Sequence, residues 1–396
     1  MEVKEVKNAR AMRDFIHFPF RLYRHDPLWV PPLFVETKKI LRGGGSLLFE
    51  SGPHTLYLAY EGKEVTGRLA VGIDEKLNQA RGRKEGYLTL FECVHHCDTA
   101  FALFTVAEEW LRKRGMETLL GPVSPTNGDD FRGMLIENFT DPPLIFTPYN
   151  PPYYQELWEA YGFKKYHTFV AFRYDLDHMP FEASQAAIEY AQKKYDFTVR
   201  PLSYQNLHQE LRAIQMILEK SLIPLEYDYL APPSLQEVMK MAQEFKRFIP
   251  PGFAQIAWSK GEPVGFAVAL PDYNQVLKLM KGRIFPLGWL TFMHHKRKIN
   301  RGRAFLLFVV PAYQGKGIPT ALLFEVFKEG RKRGYVFAEG SSINVENTKM
   351  CREAEGLGGI PYKKFALFRK EIGQRRKSSS TISESSPPFP GIHFPV

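Results

Sequence analysis

Val309-Val310-Pro311-Ala312-Tyr313-Gln314-Gly315-Lys316-Gly317-Ile318 joins an apolar strand-like run, Ala304 to Val310, to an amphipathic helical run, Thr320 to Arg333. Gly315 and Gly317 can take backbone conformations that side chains disfavour, and they let the main chain come close to a bulky anion. Successive N–H groups then meet the positive end of the helix dipole. Such a nest holds phosphate without a metal, and Lys316 adds a full positive charge beside it. A glycine turn before a helix also occurs often with no ligand, so the elements around it decide its meaning.

Those elements recur in a fixed order. Downstream come a strand (Tyr335 to Glu339), a helix (Glu346 to Glu355) and a last strand (Tyr362 to Arg369). Upstream lie a strand (Phe197 to Leu202), helices Tyr204 to Leu222 and Ser234 to Phe248, and a hairpin turning at Lys260-Gly261-Glu262-Pro263. The first half repeats this order loosely. A hairpin turns at Glu61-Gly62-Lys63, and a strand (Gly86 to Val94) leads into a helix capped by Asp98. Glu117 to Leu120 forms a short strand. A helix opened by Pro151-Pro152 and a strand from Phe163 to Tyr174 follow. We expect lobes over 1–174 and 197–372, a connector at 175–196, and a disordered polar, proline-rich tail over 373–396.

Composition sets outer limits. The 396 residues exceed one ordinary core, and 44% hydrophobic with 24% charged residues reads as globular. No apolar run approaches the roughly 20 residues of a membrane-spanning helix, and the N-terminus reads as lacking a secretory signal. Three cysteines fit a reducing compartment, so the cytoplasm is the expected location. Eight Lys or Arg and no Asp or Glu lie between Val276 and Arg303, which accounts for much of the net charge of +10. This segment favours an anionic partner. It reads as a lid, as a weak contact with anionic lipid, or as a plain helical insertion packed on the other lobe. No motif supports DNA recognition.

The loop resembles the pyrophosphate-binding motif of the GNAT acyltransferase superfamily, Gln/Arg-x-x-Gly-x-Gly/Ala after a strand with a Val-x-Pro exit. Gln314 and Gly317 match the first and fourth positions, while Pro319 replaces the sixth and supplies no N–H. Further segments are similar to a bacterial family with two GNAT-like lobes: Asp26-Pro27-Leu28-Trp29-Val30-Pro31-Pro32, Tyr149-Asn150-Pro151-Pro152-Tyr153-Tyr154, Gly282-Arg283-Ile284-Phe285-Pro286 and Glu339-Gly340-Ser341-Ser342. The resemblance implies an α/β fold with a mixed sheet, a tandem GNAT-like architecture, in which the first lobe is degenerate. It also implies acetyl-CoA or another acyl-CoA as co-substrate, a small or amino-acid-like amine as acceptor, and direct transfer without a metal.

By that resemblance Val309, Val310, Gln314, Gly315, Lys316, Gly317 and Ile318 hold the cofactor, aided by Asn344 and Asn347. Glu339 is the candidate base, acting on the acceptor directly or through water, with a structural ion pair as its alternative. Ser341 and Ser342 are candidates for substrate binding, as are Asn127, Asp129, Tyr149 and Tyr153 from the first lobe. Capping is an equal alternative for Asn347. Superfamily relatives place a tyrosine acid at the position held here by Ala354, and Trp158 occupies the comparable place in the first lobe. Cys93, His95, His96 and Cys97 are too tightly spaced on alternating faces to surround one ion readily. Two other readings stay open: a non-catalytic acyl-CoA-binding protein, and a Fem-like transferase using aminoacyl-tRNA.

Overall fold

The apolar runs of both halves assemble into one sheet. The computed structural model describes residues 1–44, 46–126, 131–222 and 232–373. The first half contributes β1 (Glu2–Glu5), β2 (His54–Glu61), β3 (Glu64–Ile73), β4 (Glu85–Cys93), β5 (Thr118–Gly121), β6 (Met134–Glu137) and β7 (Lys164–Asp175). The second contributes β8 (Thr198–Pro201), β9 (Ala254–Ser259), β10 (Glu262–Pro271), β11 (Arg301–Val309), β12 (Phe337–Asn344) and β13 (Ile360–Glu371). Across the sheet the order is β1-β2-β3-β4-β5-β13-β7-β12-β11-β10-β9-β8, with β6 pairing on β13. The mixed α/β class read from the sequence holds: β4–β5 and β11–β12 run parallel, and the other described pairs run antiparallel.

Both faces are covered, which explains strands that are apolar at nearly every position. β3 is buried from Val65 to Ile73. On one face helix Cys97–Arg112 packs so closely that a Cβ on Gly67 would lie 2.8 Å from Leu103 Cδ1. On the other, helix Ala9–Leu22 brings Phe15 and Ile16 into the core, and the Phe15 carbonyl accepts from Arg68. The second half repeats the arrangement around β10. Ala321, Leu322 and Phe324 of helix Ile318–Lys332 join Val264, Ala267 and Ala269 on one face. Leu211, Ile214 and Ile217 of helix Leu207–Leu222 meet Phe266 and Val268 on the other.

The halves exchange their final strands. β7 ends the first half yet lies against β12, and β13 ends the second half yet lies against β5. The two long strands pair with each other along the centre, from Ile360↔Arg173 to Arg369↔Lys164. The segment read as a connector contains helix Phe181–Tyr195, which lays Ile188 and Ala191 into the core beside helix Ile318–Lys332. The tail from Gln374 lies outside the described residues.

Several boundaries differ from the sequence reading. β11 begins at Arg301 rather than Ala304, and β12 runs to Asn344 rather than stopping at Glu339. Charged residues at 301, 303 and 339 conceal these strands until their partners are seen. Helix Cys97–Arg112 starts one residue before Asp98 with no side-chain cap, and helix Tyr154–Ala160 starts after the two prolines.

Candidate active site

A parallel pair that separates makes a cleft. β11 and β12 pair from Arg301↔Phe337 to Ala304↔Gly340. Beyond that point β11 continues to Val309, while β12 stays with β7 after an irregularity between Gly340 and Ile343. The gap between the strands is lined by Phe305, Leu307, Val309, Ser341, Ser342 and Ile343, with Gln314, Pro319, Asn347, Met350 and Glu353 toward the helices. It is mostly apolar, with polar groups from the loop (Gln314), the two serines, and helix Thr348–Gly356 with its cap (Asn347, Lys349, Glu353).

The loop has the backbone expected of a nest. Pro311–Tyr313 form one turn of 3-10 helix, Gly315 sits at φ +71° and Gly317 at φ +77°, and the helix begins at Ile318. Pro319 falls in the first helical turn, where a missing N–H removes no helical hydrogen bond. A Cβ on Gly315 would enter open space, so this side of the loop stands clear. Lys316 Nζ lies 4.5 Å from the Tyr313 ring centroid. One neighbour is already placed against this nest. The Glu353 carboxylate accepts from the Thr320 hydroxyl at 3.1 Å and from the backbone N–H groups of Thr320 and Gly315. Burial raises its carboxyl above the usual range, while these hydrogen bonds act in the opposite direction.

The candidate residues divide between cleft and scaffold. Val309, Gln314, Ser341, Ser342 and Asn347 line the cleft. Val310 follows β11, with its N–H bonded to Val264 O. Asn347 also caps helix Thr348–Gly356 by accepting from Met350 N–H, so both of its readings coexist. Asn344 accepts from Glu346 N–H at 3.0 Å.

Glu339 lies in the ion pair with Arg303 that was the alternative to its reading as a base acting directly or through water. It is fully buried in the middle of β12 and is not part of the cleft lining. One of its oxygens accepts from Ser341 Oγ at 2.5 Å and lies 3.7 Å from Arg303 Nε; the other accepts from the Tyr362 hydroxyl. Burial and the Glu339 charge together push the Tyr362 hydroxyl far up. A carboxylate without an open lone pair in the cleft can reach an acceptor only through Ser341. Tyr149 and Tyr153 also serve the scaffold. Tyr149 donates to Asp26 at 2.6 Å and Tyr153 to the Cys93 carbonyl at 2.8 Å. Asn127 and Asp129 lie outside the described residues.

Comparison with known proteins accounts for this geometry. Residues 220–356 match the acetyltransferase (GNAT) family. A tandem GNAT protein from the clavulanic acid biosynthesis pathway superposes with a TM-score of 0.56 at 13% identity, covering 94% of this chain and 99% of that one. The segment 220–356 thus carries a GNAT-family domain, and the chain as a whole has the fold of a tandem GNAT protein. The glucosamine N-acetyltransferase region of a fungal multi-domain β-N-acetylglucosaminidase is similar, with a TM-score of 0.59 at 12% identity over 93% of this chain and 38% of that one. In sequence, protein YghO of Escherichia coli K12 is 28% identical over 93% of this chain and 95% of its own length. A bacterial ceramide synthase of Caulobacter vibrioides is 26% identical over 94% and 98%.

Within the GNAT frame two further residues stand out, and sequence reasoning missed both. Tyr174 lines the cleft, is 1% exposed, and its hydroxyl has no hydrogen-bond partner among the described residues. Its ring fits where Gly340 and Gly359 lack side chains: a Cβ on Gly359 would lie 2.9 Å from the ring. It arrives on β7, the strand lent by the first half, and both its ring and the Ala354 carbonyl lie within 3 Å of a Cβ on Gly359. Glu353 is the second, and nothing in its local sequence marks it. The first lobe shows what closes such a wedge. Trp158 is fully buried there among Phe91, Phe104, Phe163 and Phe368, with a Cβ on Gly121 only 3.1 Å from it.

Proposed function

We propose that this protein transfers the acyl group of an acyl-CoA to the amine of a small acceptor in the cleft between β11 and β12. The observation that supports the reading is the loop with Gly315 and Gly317 at positive φ before helix Ile318–Lys332, whose flanking residues Gln314 and Pro319 line that cleft. The ceramide synthase relative, named for making an N-acyl lipid, favours an amine with a hydrocarbon chain. An amine nitrogen attacks the thioester carbonyl, a C–N bond forms and the C–S bond breaks. The amine's proton passes to Ser341 Oγ as Ser341 gives its own to Glu339, with Arg303 Nε, 2.8 Å from the same oxygen, holding the serine in place. The Tyr174 phenol protonates the leaving thiolate; its burial raises the hydroxyl, so the proton is present across the physiological range.

The test is amine-dependent release of free thiol from acyl-CoAs of several chain lengths, with the amide identified by mass. Tyr174→Phe and Ser341→Ala should each lower kcat by roughly a hundredfold, the usual scale of a proton-transfer group, while leaving donor binding intact. Donor binding without turnover on any amine would leave the non-catalytic reading standing.

The Glu353 contact gives a second expectation. An ionised carboxylate competes with the diphosphate for the same amides, so donor affinity should climb as pH falls through the raised Glu353 value and the carboxyl takes a proton. Glu353→Gln should bind coenzyme A roughly tenfold more tightly at alkaline pH, and the gap should narrow as pH falls and the wild-type carboxyl takes its proton. Comparing the two proteins at each pH cancels the ionisation of the ligand. Equal calorimetric affinities throughout would show that Glu353 and the diphosphate do not compete.

A further inference from the structure

The basic insertion folds as helix Asn274–Met280, a turn through residues 281–287, helix Gly288–His295 and a 3-10 turn, Lys296–Lys298. Its inner side is fixed to the first half. Phe34 N–H donates to the Gly282 carbonyl, Asn274 to Pro143 O and Lys278 to Pro27 O. Gly282 sits at φ +78°, where a Cβ would lie 2.8 Å from the Phe20 ring. Phe292 faces inward, stacked on Tyr273. This anchorage makes the segment a rigid platform packed on the other lobe.

The outer side has an unusual composition for a surface in water. Phe285 is 76% exposed and Leu287 65%, and Leu279, Trp289, Leu290 and Met293 are each about half exposed. On helix Gly288–His295, residues 289, 290 and 293 fall within about 100° of one another, so three of these side chains share one face. Six large exposed apolar groups within fifteen residues are a concentration that single exposed leucines scattered over a surface are not. Cations flank it. Lys281, Arg283, Lys296, Arg297 and Lys298 are all exposed, and none has an ion-pair partner among the described residues. Arg13 and Lys38 of the first half add to the same field around His17, opposed by Asp14.

We infer that this face is a docking surface for an anionic lipid bilayer. Water alone would select polar residues here. Nucleic acid would use the cations but gives no reason to expose Phe285, Leu287, Leu290 and Met293. A lipid surface uses both: the apolar groups enter the acyl boundary, Trp289 suits the interface, and the lysines and arginines meet anionic headgroups. The platform presents these groups in a preset geometry, so docking orders little new chain. This inference stands apart from the acyl-transfer reading, because none of its residues lines the cleft.

Co-sedimentation of the full chain with vesicles tests it, using phosphatidylglycerol mixed with phosphatidylcholine, and phosphatidylcholine alone. The expected result is binding to the mixed vesicles that weakens with salt and is at least tenfold weaker on phosphatidylcholine alone. The triple variant Trp289→Ser, Leu290→Ser, Met293→Ser should lose binding at every salt concentration. The charge variant Lys296→Glu, Arg297→Glu should lose it most at low salt. Coenzyme A affinity, read in parallel, should stay at the wild-type value in both variants and so reports that they are folded. No binding to the mixed vesicles, or binding that survives the triple variant, overturns the inference. So does salt-sensitive capture of RNA abolished by the charge variant alone, or a wild-type dimer that the triple variant converts to monomer. Loss of acyl transfer with vesicle binding retained would count against the cleft reading only.

Discussion

Glutamate in place of Gly317 should abolish coenzyme A binding, seen in calorimetry as a loss of affinity of a hundredfold or more. Two effects combine at this position. Gly317 is at φ +77° as the residue before helix Ile318–Lys332, a conformation that costs an L side chain roughly 1–2 kcal/mol. A Cβ there would also lie 3.3 Å from Ala191 Cβ, so the connector helix must give slightly. The larger effect is charge. A second carboxylate beside Glu353 would place like charge next to a diphosphate, and such juxtaposition costs several kcal/mol. A hundredfold corresponds to about 2.7 kcal/mol, well within that range. Gly317→Ala separates the two effects, since it carries the strain without the charge. It should lose no more than about tenfold. A folded Gly317→Glu protein that binds coenzyme A like the wild type would remove the basis for placing the donor at this loop.

The loop was legible because its meaning is local. Two glycines, a lysine and a helix start lie within four residues, and the order of strands around them is carried by apolar periodicity. The charged residues of the cleft were harder to place. Arg303 sits in a run that reads as a solvated basic insertion, yet it is 1% exposed because Glu339 stands opposite it on the adjacent parallel strand. Glu339 looked like a strand end because the polar Gly340-Ser341-Ser342 stretch hides the continuation of β12. Once the strand continues, the carboxylate points into a packed interior and accepts a hydrogen bond from Ser341.

Tyr174 was illegible for a different reason. It lies more than 130 residues before the cleft it lines, and no local pattern connects β7 with β12. Strand exchange makes the connection. The first half thereby supplies a tyrosine to the cleft of the second, and the same exchange makes each half incomplete alone. The first lobe follows the opposite course. Where the second has Ala354, it has Trp158, whose large ring is packed against four phenylalanines.

Arg303→Met should be the most destabilising single change, lowering the free energy of unfolding in urea at neutral pH by about 3–5 kcal/mol. Arg303 donates to Ser341 Oγ at 2.8 Å and to the Ile145 carbonyl at 2.9 Å, so it joins β11, β12 and a first-half loop at one point. Methionine fills much of the volume but leaves Glu339, fully buried, beside no guanidinium. The cost comes chiefly from that uncompensated charge, not from lost contacts. The double variant Arg303→Met, Glu339→Gln therefore tests the cause. It should recover about 1–3 kcal/mol relative to the single variant, because contacting groups in one network are strongly non-additive. A single variant that loses less than about 1 kcal/mol would mean the pair is only as coupled as an exposed one. A double variant no more stable than the single would place the loss in the hydrogen bonds to Ser341 and Ile145 instead. Recovery of stability without recovery of acyl transfer would separate the two roles of Glu339, since the glutamine restores a neutral partner for Tyr362 but cannot take the proton that Ser341 gives up.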